Sequence, residues 1–267
     1  MLDNPRRRPG YDARVPTPIV AGAEPFSAKG GPIGVVVLHG FTGSPQSMRP
    51  LATAFAAANF SVELPLLPGH GTSVGDMVQT RWSDWSSAAE AAYSDIACRC
   101  ETVFVAGLSM GGSLAIWLAE RHPEIAGIIV INPLVDPPAS SFLDMLSGMI
   151  EEGAVSVPAI GSDIAKQGAP ETSYNASPIE PMLSMFDGVQ EIADGLGGLS
   201  CPVLLFSSRT DHVVPPESGD VLAASAAGPV ERIWLERSFH VATLDHDAPQ
   251  IEASAVAFVS KVAAAGE

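Results

Sequence analysis

Residues 103–112 read VFVAGLSMGG, and the fold follows from how that stretch is punctuated. An apolar, β-branched run enters G-x-S-x-G and continues without a break into the helical pattern GGSLAIWLAE. Strand, sharp turn and helix in that order separate a nucleophile elbow from a chance match or an ordinary Gly-rich turn. So tight an elbow forces the residue at its apex into a strained backbone conformation, and Gly107 and Gly111 stand where side chains would collide across the turn. Ser109 is therefore the candidate nucleophile, lifted above a sheet edge with the free N–H groups of the next helix beneath it.

On either side of the elbow the same alternation recurs. Buried-strand candidates fall at 33–38, 60–64, 103–107, 127–131, 203–207 and 232–235, with helical patterns at 50–58, 82–96 and 111–120 between them. Strands alternating with helices define an α/β chain with a mostly parallel sheet flanked by helices, and the elbow within it resembles that of the α/β-hydrolase fold. Between residues 137 and 198 the strand-like runs vanish. That stretch carries two amphipathic helix candidates, SFLDMLSGMI and PMLSMFDGVQEI, around the turn-rich VPAIGSDIAKQGAP. Lying between two core strands, it is expected to form a small cap or lid over the C-terminal sheet edge, where open α/β sheets bind ligands. The domain plan is then a core of 1–136 and 199–267, with an irregular N-terminal segment over 1–30 and a cap insertion over 137–198.

A serine hydroxyl needs a neighbouring base, and six histidines are available. His240, in RSFHVATLD just after the last strand candidate, occupies the place the chain order Ser, acid, His requires. His246 is the rival, at the start of the final helix; His122 and His212 read as surface residues. The imidazole needs a carboxylate on its second nitrogen. Asp211 follows the strand PVLLFS by a short loop; Asp136, after GIIVIN, is the alternative. The fourth element is LHGFTGSP, residues 38–45, again at a strand end, where the backbone N–H of Phe41 would pair with that of Met110 as an oxyanion hole. His39 then braces that loop.

Composition limits what such a site can serve. With 14 Lys and Arg against 30 Asp and Glu, a formal net charge of −16 and a pI near 4.6, the chain would repel nucleic acid and anionic membranes. Arg6, Arg7 and Arg8 read as a solvated tail. Cys98, Cys100 and Cys201 form neither a disulfide framework nor a zinc pattern, and no secretory or membrane-spanning apolar run is present, so a cytoplasmic protein is expected. No HExxH or clustered ligand set points to a metal, and the machinery needs no cofactor.

Together LHGFTGSP, LPGHGTS, the Trp82-to-Trp85 spacing, GLSMGG, DHVVPP and HVATLDHD resemble the small bacterial carboxylesterases and monoacylglycerol lipases of the α/β-hydrolase superfamily, over about residues 33–258. That resemblance implies a Ser109–Asp211–His240 triad, Phe41 and Met110 as oxyanion donors, a small cap over 137–198 and a small-molecule ester as substrate, with His70 in a loop near the site. The alternatives are a thioesterase or amidase with the same triad and a catalytically silent ligand-binding protein. One departure stands out: Phe239 precedes His240 where the family often has Gly, which places an aromatic ring beside the pocket or turned into the core.

Overall fold

The computed structural model describes residues 17–265, so the Arg6–Arg8 tail lies outside the described residues. The chain runs β1 (Phe26–Ala28), β2 (Ile33–Leu38), α1 (Pro45–Ala57), β3 (Ser61–Leu64), α2 (Val74–Met77), α3 (Trp82–Ala97), β4 (Thr102–Leu108), α4 (Met110–Arg121) and β5 (Gly127–Ile131). It continues with α5 (Ser140–Glu151), β6 (Ser156–Pro158), β7 (Ala176–Pro178), α6 (Ile179–Gly195), β8 (Val203–Ser208), α7 (Glu217–Ser225), β9 (Val230–Leu235) and α8 (Ala248–Ala265). Seven strands form one sheet in the order β1-β3-β2-β4-β5-β8-β9. Every pair in it is parallel except β1 with β3. A mostly parallel sheet flanked by helices is the α/β-hydrolase fold expected from the sequence.

Period-two alternation splits each strand between two apolar layers. Val36 and Leu38 of β2 and Val103 and Val105 of β4 face a cluster with Trp85 of α3, Leu114 and Leu118 of α4, and Val189 and Ile192 of α6. Val35 and Val37, with Phe104 and Ala106, face the opposite cluster with Met48 and Phe55 of α1 and Ile251 and Phe258 of α8. Helices thus cover both faces, as a parallel sheet buried on both sides demands.

Three features depart from the sequence reading. The stretch before Gly30, without core-like periodicity, nevertheless supplies β1, whose three residues pair with β3 as an antiparallel edge; a strand that short is too brief to display alternation. Helix α1 begins at Pro45 rather than at Pro50: Pro45 takes the first helical position, where its missing N–H costs nothing, and Pro50 lies inside the helix. Within 137–198, where strand runs were expected to vanish, β6 and β7 pair antiparallel over three residues each.

The two helices of that insertion are held very differently. Helix α6 buries Ile179, Met185, Phe186, Val189 and Ile192, and the ring of Trp82 lies against its Gly188. Helix α5 buries only Leu146. At about 1.5–3 kcal/mol per fully buried apolar side chain, α6 is anchored to the core and α5 rests on it lightly.

Candidate active site

The turn between β4 and α4 carries Ser109 at φ 55° and ψ −121°, a conformation rare for a residue with a side chain. The backbones around it leave no room for a methyl group: a Cβ on Gly107 would lie 2.0 Å from the Gly111 carbonyl oxygen, and one on Gly111 would lie 2.2 Å from that of Leu38. The strain is therefore fixed by packing on both sides of the turn. Met110, the first residue of α4, has an N–H with no intrahelical partner. The amide of Phe41, in the loop after β2, has no acceptor among the described residues. Gly40 of that loop approaches Ser109 closely enough that a Cβ there would be 3.4 Å from the serine Cβ.

His240 and Asp211 arrive from the loops after β9 and β8. His240 Nδ1 lies 2.7 Å from Asp211 Oδ2, and both side chains are nearly buried. The other oxygen, Asp211 Oδ1, accepts the amides of Val213 and Val214, each at 2.8 Å. With Nδ1–H donated to the carboxylate, Nε2 of His240 is the free basic nitrogen. Ser109 and His240 line the same cleft. Among the described residues the serine hydroxyl makes no hydrogen bond to the imidazole, a contact that catalytic pairs often tighten only with substrate in place. Asp136 lines the cleft as well but is exposed and far from the role of Asp211 in the hydrogen-bond pattern.

The remaining histidines have separate places. His246 is exposed at the start of α8, and His122 sits between Glu90 at 2.8 Å and Glu124 at 3.2 Å. His39 donates Nδ1–H to the Gly40 carbonyl at 3.0 Å and accepts the Leu67 amide on Nε2 at 3.1 Å, tying the β2 loop to LPGHGTS. Burial, with the neighbouring His70 second, pushes the His39 pKa down to about 3. Burial holds His70 down to about 4. Both are neutral struts. His70 and Trp85 pack edge-on against the Phe41 ring at 6.4 and 5.7 Å, fixing a residue that lines the cleft. Phe239 does not line the cleft; its ring stacks edge-on with His212 at 4.7 Å.

The cleft has a volume of about 470 Å³. Its wall is largely the insertion: Phe142 from α5, Ile160 and Tyr174 from the irregular strap between β6 and β7, and Met182, Met185 and Phe186 from α6. Glu171 also lines it; burial raises the pKa of its carboxyl, opposed by hydrogen bonds from Ser173 and by the charge of His240.

Asn132 and Glu171 are among the residues that the sequence reading did not single out. Asn132, at φ 44°, donates Nδ2–H to the His240 carbonyl at 2.8 Å and to Ser208 Oγ at 2.9 Å. Its position directly after a buried strand, in a residue type that tolerates positive φ, was the available signal. Glu171, in a polar turn-rich run, offered none.

Residues 33–247 match the family described as serine aminopeptidase, S33. A thermostable monoacylglycerol lipase from Bacillus sp. (strain H-257) is 43% identical over 91% of this chain and 97% of its own length. A solved structure reported for the metagenome-derived lipolytic enzymes LipS and LipT has a TM-score of 0.88 at 40% identity, covering 91% of this chain and 100% of that one. The Paleococcus ferrophilus monoacylglycerol lipase, with a TM-score of 0.75 at 19% identity over 90% of this chain and 99% of its own, shares the fold.

Proposed function

The chain belongs to the serine aminopeptidase S33 family and is a serine hydrolase acting on carboxylic esters; from that premise we propose that it cleaves neutral esters, foremost monoacylglycerols with short to medium acyl chains. The observation that carries this reading is the make-up of the cleft. An apolar wall of Phe142, Met182, Met185 and Phe186 suits one acyl chain, while the carboxyls of Glu171, Asp136 and Glu217 supply hydrogen-bond acceptors for a hydroxylated alcohol. A cavity of about 470 Å³ holds a single chain and its headgroup, not three chains.

In this mechanism Ser109 is the nucleophile, His240 the general base and Asp211 the residue that orients it. Ser109 Oγ attacks the acyl carbonyl as its proton passes to Nε2 of His240. The oxyanion is held by the N–H groups of Phe41 and Met110, a contribution of roughly 3–4 kcal/mol per donor in comparable sites. Collapse breaks the ester C–O bond, and the imidazolium returns its proton to the departing alcohol. Water, deprotonated by His240, then releases the acid from Ser109. Asp211 stabilises the imidazolium through the bond to Nδ1.

The insertion over 137–198 is the acyl-binding cap in this reading. For the compartment, the three free cysteines fit a reducing, cytoplasmic setting. The test is a panel of p-nitrophenyl esters, thioesters, amino-acid anilides and mono- and triacylglycerols of graded chain length. Monoacylglycerols should lead, with kcat/KM rising by up to about fourfold per methylene until the cleft is full and then falling. Long triacylglycerols cleaved as fast as monoacylglycerols would remove the single-chain cleft, and anilides hydrolysed faster than esters would return the chain to the peptidase chemistry of its family name.

A further inference from the structure

Asp163 stands in the strap between β6 and β7, and its carboxylate reaches into the core, with the side chain only 9% exposed. Oδ2 accepts the backbone N–H of His240 at 3.0 Å and that of His212 at 3.1 Å, and Oδ1 pairs with His212 Nδ1 at 2.7 Å. The carbonyl of the same residue accepts the Val241 amide at 3.0 Å. His212 adjoins Asp211 in the loop after β8; His240 belongs to the loop after β9. One carboxylate from the insertion therefore grips both loops beside the base and its acid.

The core returns the grip. Asp245 accepts the strap amides of Ala165 at 2.7 Å and Lys166 at 2.9 Å, and also the Phe239 amide at 2.9 Å. The consecutive amides of Phe239 and His240 are thus each held by a carboxylate, that of Phe239 by Asp245 of the core and that of His240 by Asp163 of the strap. Bonds of this kind are directional, and an oxygen that accepts two amides from different loops fixes the backbone that aims the imidazole.

We propose that Asp163 is a positioning residue for the catalytic reaction: it sets the separation of the Asp211 and His240 loops, so that the wall of the acyl cleft and the general base share one carboxylate. This rests on the roles given above to His240 and Asp211. A displacement of either loop by an ångström would lengthen the 2.7 Å bond between them and misdirect Nε2, the kind of error that costs up to about a hundredfold in rate.

The charge and the geometry of Asp163 separate by substitution. Asp163→Asn can still accept both amides on its oxygen and donate to His212, and should keep kcat within about threefold of wild type. Asp163→Glu keeps the charge but overreaches, and should lose about tenfold; Asp163→Ala should lose about 10- to 100-fold in kcat with KM changed less than threefold. The rate at which a fluorophosphonate labels Ser109 in the folded protein should fall by the same factors, because it too depends on His240. A purely structural Asp163 would lower the thermal midpoint and leave kcat and the labelling rate per folded molecule untouched, which overturns the proposal. Should Asp163→Ala not fold, the order of the other two decides, and Glu faster than Asn overturns it equally. His240→Ala run alongside separates the two levels: a large loss there with no effect at Asp163 removes the positioning role alone, whereas retained activity in His240→Ala removes the triad reading beneath it.

Discussion

The two sides of the cleft are built to different tolerances. On the core side, β4 is buried from Val103 to Leu108 and α4 buries Met110 through Ile116, with Ser109 held at the apex where no methyl group fits on either flanking glycine. On the insertion side, α5 buries Leu146 alone and leaves Phe142 and Met145 exposed at 40% and 51%. In the proposed mechanism the difference divides the work: the attacking serine sits where packing overdetermines its position, and the proposed acyl wall sits where side chains have room to adapt. The strap lies between these extremes. Its backbone is irregular, yet Asp163, Tyr174 and Ala165 are bonded to the loops that carry His240 and Phe41.

The comparison breaks first at the chemistry. Ser109→Ala should fold normally and lose on the order of 10⁴ or more in ester turnover, and His240→Ala should fall to about the same residual rate. The double variant should be little worse than either single, because residues acting in one step do not lose independently; losses that multiply would separate the two. Asp211→Asn should lose far more activity than Asp136→Asn, and the reverse order, measured in the same assay, would move the acid to the end of β5.

Next comes packing. Gly107→Ala must displace the Gly111 backbone and should cost more than about 3 kcal/mol or prevent folding, read by thermal or urea unfolding. A well-folded Gly107→Ala would show that the elbow is as pliant as the insertion. For the cleft wall, Met185→Ala should move the preferred acyl length upward by making room at the end of the chain, with a several-fold change in kcat/KM. Met145→Ala, on the exposed face of α5, should leave the chain-length profile unaltered, and a shift there would mean that α5 closes over the substrate in solution. The smallest effect is at Gly148, in the middle of α5, where a Cβ meets nothing within 4 Å. Gly148→Ala should stabilise by about 0.5–1 kcal/mol through helix propensity alone, and a loss of stability would show tighter packing of α5 than its burial indicates.

Much of this was legible in the chain. Strand β2 occupies 33–38 and β5 occupies 127–131, where the apolar runs placed them, because a strand buried on both faces is written as a continuous β-branched run. Helix α1 starts five residues before the Pro50 start read from the sequence, because Pro45 suits the first helical position equally well and Pro50 is accommodated inside the helix. The orientation of Phe239 was open in the sequence; His212, from a different loop, gives its ring a partner.

The sequence by itself determined the parallel α/β architecture, the elbow at Ser109 and the order in which Ser109, Asp211 and His240 follow the ends of β4, β8 and β9. Those features are local: a few contiguous residues and their spacing specify each one. Only the tertiary structure decided what surrounds them. Asp163 meets His240 across 77 residues, Asn132 meets it across 108, and Tyr174 closes on Thr72 across 102. Such contacts leave no periodicity in the chain, since a lone Asp or Asn in a turn looks the same whether it caps a loop or holds a catalytic backbone. Which of the two it does is set by where the sheet brings the loops together.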